Sequence, residues 1–277
     1  MHGIKVALRA GAATAAIGLM AYLIAPGVAP ILAIAAATSA LGFELTRVRA
    51  TLLRRLDDLD GDAAQIQPLL ELRARLPTRH PLPAMREFAI APDFALLLTE
   101  LIATEQPELV VETGSGVSTL VIGYALEKLG RGRVVALEHD PVYAAKTRAD
   151  IARHGLAAFA SVVDAPLEPI TIGGERHRWY APRALDGLDQ IDLVLDGGPP
   201  RYLGPMLRYA SLPTFAPRMS PRGVFVVDVI AREERTILAR WKTQLPAFDQ
   251  HVVPNKKGAV ILRREPTPQR LSSALTA

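Results

Sequence analysis

Apolar residues come first as an unbroken block, then at helical spacing, then in short runs separated by helical stretches. From Ala10 to Phe43 no residue is charged. As one helix that block would reach ~51 Å at ~1.5 Å per residue, against a hydrocarbon core of ~30 Å. The interruption Pro26-Gly27-Val28-Ala29-Pro30 divides it into two apolar arms. The pattern therefore predicts a transmembrane helical hairpin over residues 1–45. Lys5 and Arg9 precede the first arm, while Arg47, Arg49, Arg54 and Arg55 follow the second. Basic residues at both ends predict two cytoplasmic ends, at the inner (plasma) membrane. A cleaved signal fits poorly, because its apolar core is only about 7–15 residues long.

Leu45, Val48, Leu52, Leu56 and Leu59 then recur at three and four, the spacing of one helix face. Gly61 is expected to break that helix, and Leu69 to Leu76 resume it after Pro68. Pro77, Pro81, Pro83 and Pro92 mark an extended arm. Residues 46–80 are read as juxtamembrane helix and linker, and 81–264 as the main domain. The tail 265–277 is expected to be disordered.

Inside the main domain, strand and helix alternate. A helix is predicted from about Phe94 to Thr104, and a strand from Leu109 to Val111. A helix from about Ser118 to Leu129 follows, then a strand at 133–140, a helix at 141–154 and a strand at 160–163. ITIGGERHRWY (170–180) reads as a hairpin turning at Gly173-Gly174. IDLVLD (191–196) is apolar enough to be buried on both faces, as central parallel strands are. GVFVVDVI (223–230), a helix over 233–244, and a closing hairpin of 249–254 with 258–264 complete an α/β domain.

Composition narrows the chemistry. The chain has 277 residues and no cysteine, which excludes a disulfide framework, a thiol nucleophile and cysteine-held metals. A formal charge of +4, with no basic run interleaved with aromatics, does not point to nucleic acid.

The stretch ELVVETGSGVST (108–119) is the centre of the reading. Strand, glycine-rich turn, helix and strand form one βαβ unit. A dinucleotide fingerprint G-x-G-x-x-G needs a third glycine where Thr119 stands, and an acid before the first glycine repels a pyrophosphate. Glu112 suits a cationic ligand instead, and S-adenosylmethionine is one, with a sulfonium, an ammonium and no phosphate. A second acid, Glu138, closes the next strand.

The run Glu112-Thr113-Gly114-Ser115-Gly116, with the strand ending at Glu138, resembles the first motifs of class I S-adenosylmethionine-dependent methyltransferases. Pro81-Leu82-Pro83, Pro92-Asp93-Phe94, ETGSGVSTL, LEHDP and an Asp-Gly-Pro-Pro turn, which carries an extra glycine here (Asp196-Gly197-Gly198-Pro199-Pro200), are similar to a bacterial, membrane-anchored group of predicted methyltransferases. The resemblance covers about Pro81 to Arg264. It implies a Rossmann-like α/β fold, a seven-stranded mostly parallel sheet with a closing antiparallel hairpin, preceded by transmembrane helices. It also implies S-adenosylmethionine as cofactor. Glu112 would sit near the methionine ammonium, Gly114, Ser115 and Gly116 along its backbone, with Ser118 and Thr119 opening the helix. Glu138 would take the ribose diol beside His139, Asp164-Ala165 would form the adenine turn, and Asp196 would stand on the cofactor side of the pocket. The segment before the first strand would cover the cofactor, with Arg86, Phe88 and Phe94 as lid residues.

Catalysis offers two routes. Asp196 and Asp228 resemble the strand-end acids that hold magnesium in catechol-type enzymes, but the following asparagine of that pattern is Val229 here. A divalent cation is thus allowed by the resemblance and not expected. Otherwise His139, His154 or His177 would act as base, with Asp196 as a pocket carboxylate. The acceptor would be a small molecule or a lipid-linked group, methylated on oxygen. The competing classes are a nicotinamide-dependent oxidoreductase and a non-catalytic membrane adaptor.

Overall fold

The computed structural model describes residues 27–229 and 231–264, in two compact units, the first ending at Ala63 and the second starting at Ala64. In the first unit a single helix, α1 (Ala29–Ala63), runs from the apolar stretch into the amphipathic stripe. It includes the one helix stretch among the described residues that is long and apolar enough to cross a membrane. Leu41, Leu45, Leu52, Leu56 and Leu59 are all exposed on it. Gly61 does not end this helix; the chain turns only at residues 64 and 65. The first arm of the expected hairpin and the tail from 265 lie outside the described residues.

The second unit opens with α2 (Ile66–Arg75), whose Leu72 is buried with the nearby Leu76 in the domain core. The compact domain therefore begins upstream of residue 81. After the extended arm comes α3 (Pro92–Glu105), started by proline in its first turn and closed by a left-handed Gln106. The order is then β1 (Leu109–Thr113), α4 (Val117–Leu129), β2 (Arg133–Glu138), α5 (Pro141–Arg153) and β3 (Ala160–Asp164). The inserted hairpin β4 (Leu167–Ile172) and β5 (Glu175–Tyr180) forms its own two-stranded sheet. β6 (Ile191–Asp196), α6 (Ser211–Phe215), β7 (Met219–Val227), α7 (Arg232–Gln244), β8 (Phe248–Val253) and β9 (Ala259–Arg264) follow.

The main sheet has seven strands in the order β3-β2-β1-β6-β7-β9-β8. β1, β2, β3, β6 and β7 run parallel, and β9 pairs antiparallel with β7 and β8. This is the expected Rossmann-like arrangement with its closing hairpin. Successive β1 residues serve opposite faces, because strand side chains alternate. Val110 packs with Leu98, Leu120 and Leu193 on one side, while Val111 packs with Val194, Phe225 and Trp179 on the other. The connection after β1 leads toward β3, and β6 lies on β1's other side. That reversal opens a crevice at the carboxyl ends of β1 and β6, the usual ligand position in open parallel sheets.

Candidate active site

A cavity of about 470 Å³ fills this crevice, within the range of small-molecule sites. Its floor includes Glu112, Gly114 to Ser118, Glu138 and His139. Its roof is the 83–90 arm, and Gly197 to Tyr202 form the facing wall.

Sheet register sets the two acids. Glu112 pairs with Ala136, two residues before Glu138 on the neighbouring strand. Glu112 is only 2% exposed. Ser118 donates a hydrogen bond to one of its oxygens, and Thr119 Oγ1 donates to the other at 2.6 Å. Burial pushes this carboxyl up to about 8, against the pull of those two hydroxyls. Thr119 does not line the cavity; it holds the acid that does.

Glu138 is treated differently. Burial acts to raise it, but His139, the Asp140 N–H and the Ser115 hydroxyl outweigh that effect and lower its pKa. The Asp140 N–H and Ser115 Oγ donate to it, each at 3.0 Å, and His139 Nδ1 lies 3.0 Å away. Glu138 therefore stays ionised, an acceptor suited to a diol. Ser115 is also 3.0 Å from Thr147 Oγ1, which ties the glycine turn to α5. Gly114 sits at φ +87°, a left-handed conformation that glycine adopts without strain.

Asp196 departs from expectation. It is fully buried and lies beneath the cavity wall rather than on it. Its Oδ1 accepts from Thr113 at 3.1 Å and Ser211 at 2.7 Å. Thr113 Oγ1 in turn accepts from the N–H groups of Gly197 and Gly198. Burial raises Asp196 to about 6, with Arg208 and Ser211 opposing. Through Thr113 it helps to hold the Gly197-Gly198 wall, and its side chain does not line the cavity. Gly198 is required there, since a Cβ would lie 2.6 Å from the Tyr180 hydroxyl.

Asp164 and Ala165 also fall outside the cavity lining. Asp164 is drawn outward to Arg148 at 2.8 Å, and Ala165 uses its N–H on Glu138 O at 2.7 Å. Two of the three candidate bases are elsewhere too. His154 is packed on Tyr124, with the Tyr124 hydroxyl 2.9 Å from its Nδ1. His177 stacks on Tyr209, with ring centroids 4.8 Å apart. Burial lowers the pKa of both. Only His139 faces the cavity. Of the lid candidates, Phe88 lines it and is 73% exposed, while Phe94 is in the core.

The inserted hairpin, legible in the sequence as bordering either the pocket or solvent, brings Tyr180 to the cavity from β5, its hydroxyl buried without a partner among the described residues. Two contributors escaped sequence reasoning. Lys257 donates to Glu87 O at 2.6 Å and Ala89 O at 2.5 Å, pinning the roof from the β8–β9 turn. Arg208 stands between the strand-end acids, its Nη2 2.6 Å from both Asp228 Oδ1 and the Asp196 carbonyl. A divalent cation does not fit between these acids while the guanidinium fills the space beside them.

Residues 111–230 match the family model described as a methyltransferase domain. No curated protein matches the chain. A proposed O-methyltransferase from Klebsiella pneumoniae shares the fold at TM-score 0.50 and 17% identity, over 79% of this chain and 97% of that one. An O-methyltransferase from Bacillus cereus in complex with SAH gives TM-score 0.49 and 17% identity, over 73% and 91%. TomG from Streptomyces achromogenes, an O-methyltransferase in complex with SAM, gives 0.48 and 18%, over 71% and 96%. Residues 111–230 thus match a methyltransferase-domain model, on a Rossmann-like sheet with a closing antiparallel hairpin.

Proposed function

We propose that the cavity binds S-adenosylmethionine and that the protein transfers its methyl group to an oxygen of a small-molecule or lipid-linked acceptor at a membrane. The observation that carries this reading is the pair of buried acids on adjacent strand ends, Glu112 and Glu138, facing one cavity across Gly114 to Gly116. Glu112 meets the methionine ammonium, and Glu138 accepts from the ribose hydroxyls. The acid that precedes the glycine turn would repel a pyrophosphate held there.

Methyl transfer from a sulfonium is an in-line displacement, so holding the two reactants in line supplies much of the rate. Phe88 of the roof and Tyr202 of the facing wall, with ring centroids 5.8 Å apart, border the opening and give an apolar acceptor its entry. His139 is the base candidate on the floor for an acceptor that begins protonated. The apolar part of α1 anchors the enzyme in the inner membrane with its catalytic unit in the cytoplasm, where the methyl donor is made. The test is profiling of lipids and metabolites with isotopically labelled methyl donor in cells carrying wild type or Glu112→Ala. A labelled species present only with wild type supports the reading. Identical profiles from equally expressed proteins contradict it.

A further inference from the structure

Asp196 and Asp228 close β6 and follow β7, two adjacent strands, beneath the same end of the cavity. Magnesium would need oxygen ligands at about 2.0–2.1 Å in near-octahedral geometry. The space between these carboxylates instead holds the Arg208 side chain, 8% exposed. Nη2 donates to Asp228 Oδ1 and to the Asp196 backbone carbonyl, each at 2.6 Å; Nε lies 3.7 Å from Asp196 Oδ2, and Nη1 lies 3.6 Å from Glu234 Oε1. The last distance exceeds a hydrogen bond, and Arg208 lines the cavity. Three acids therefore surround one guanidinium that keeps unused N–H groups.

We propose that Arg208 is the fixed cation of this site. It takes the position between the strand-end carboxylates that a divalent ion would take, and its Nη1 edge holds the acceptor oxygen during methyl transfer. A guanidinium is always charged and needs no loading. It donates N–H groups in a plane, and with Nη2 committed to Asp228 and the Asp196 carbonyl only the Nη1 edge is left for an acceptor oxygen. The acceptor class is accordingly a single hydroxyl, phenolic or alcoholic, rather than a vicinal pair. The acceptor oxygen forms a bond to the methyl carbon as the carbon–sulfur bond breaks, and that electron pair returns to sulfur. The acceptor's proton passes to a cavity base or to water, and Arg208 keeps its own.

The catalytic meaning rests on the proposed cofactor reading, whereas the stand-in geometry does not. The experiment is a manganese titration of the detergent-solubilised full chain, followed by electron paramagnetic resonance. Wild type, Asp228→Asn, Arg208→Gln and the double variant Arg208→Gln/Asp228→Asn are compared. Wild type should leave the free-ion signal undiminished. Arg208→Gln should gain about one bound ion per chain, lost again in the double variant. Stoichiometric binding by wild type that Asp228→Asn abolishes would overturn the proposal, and this comparison decides even if Arg208→Gln fails to fold. A folded Arg208→Gln that binds no manganese would also overturn it. Calorimetry with S-adenosylhomocysteine on the same wild-type sample separates the two claims. Binding of that product together with manganese leaves the cofactor reading standing and removes this one. No binding of the product removes the cofactor reading and with it the catalytic meaning, and leaves the stand-in geometry to the manganese result.

Discussion

Thr119 Oγ1 donates to Glu112 Oε2 at 2.6 Å while accepting from the Gly116 N–H at 3.0 Å. The residue that occupies the third glycine position of a dinucleotide fingerprint is thus a tether for the acid before the first glycine. The departure from the fingerprint and the presence of the acid are one feature. Together they set a tethered carboxyl at the turn, where the proposed cofactor's ammonium would sit.

That seat is proton-linked. With Glu112 at about 8 in the free protein, most of it is protonated near neutrality. An ammonium beside it favours the charged form, so ligand binding at about pH 7 should release a proton. Affinity for S-adenosylhomocysteine should rise as pH increases towards about 8. The stability effect has the opposite sign: a carboxyl raised from 4.5 to about 8 destabilises the unliganded fold progressively as pH rises between those values. Glu112→Gln should remove that decline and abolish proton release. Calorimetry in buffers of different ionisation enthalpy reads the release directly; heats independent of buffer would contradict it.

Gly198→Ala should block the cavity wall. The new Cβ would meet the Tyr180 hydroxyl at 2.6 Å and the Gly114 nitrogen at 3.5 Å. Overpacking of this kind costs about 1–3 kcal/mol, or roughly tenfold to a hundredfold in affinity if expressed in binding. Adding Tyr180→Phe removes the nearest atom and should restore part of the loss. A double variant as weak as the single one would show that the backbone, not Tyr180, sets the clash.

Tyr124→Phe should reduce stability without touching the cavity. The Tyr124 hydroxyl accepts from the Arg79 N–H at 2.9 Å and lies 2.9 Å from His154 Nδ1. Losing it strands two polar groups, at about 1–3 kcal/mol. Urea unfolding should show that loss at unchanged product affinity; an unchanged midpoint would mean that water replaces the hydroxyl.

How much of this was readable in advance follows from range in sequence. β1, its glycine turn and α4 are contiguous, so local spacing was enough to group Glu112, Gly114 and Ser118, which line one cavity. Glu138 was readable because its strand ends in an acid, and strand ends collect on one edge of a parallel sheet. Asp196 obeys the same rule yet turns under the wall, because Thr113 and Ser211 capture it. No pattern at 191–196 reports those partners. Asp164 was mistaken for a cavity residue since its capture by Arg148 depends on how α5 packs. Arg208 had one faint signal, a lone arginine among Leu207, Tyr209, Ala210 and Leu212. A buried arginine in an apolar run demands acids, and the two strand-end aspartates were available. Helix α1 outran Gly61 because one glycine costs a helix only about 1 kcal/mol.

The central claim is that this cavity holds S-adenosylmethionine, and product binding tests it most directly. Full-length protein in detergent is titrated with S-adenosylhomocysteine and, separately, with NAD, for wild type and Glu112→Gln. Wild type should bind the homocysteine product saturably at one site with a Kd in the micromolar range, about −8 kcal/mol. Glu112→Gln should weaken that binding by about tenfold or more, the scale of a lost charged hydrogen bond. NAD should give no saturable heat. Saturable binding of NAD by folded wild type, with none of the homocysteine product, would contradict the account.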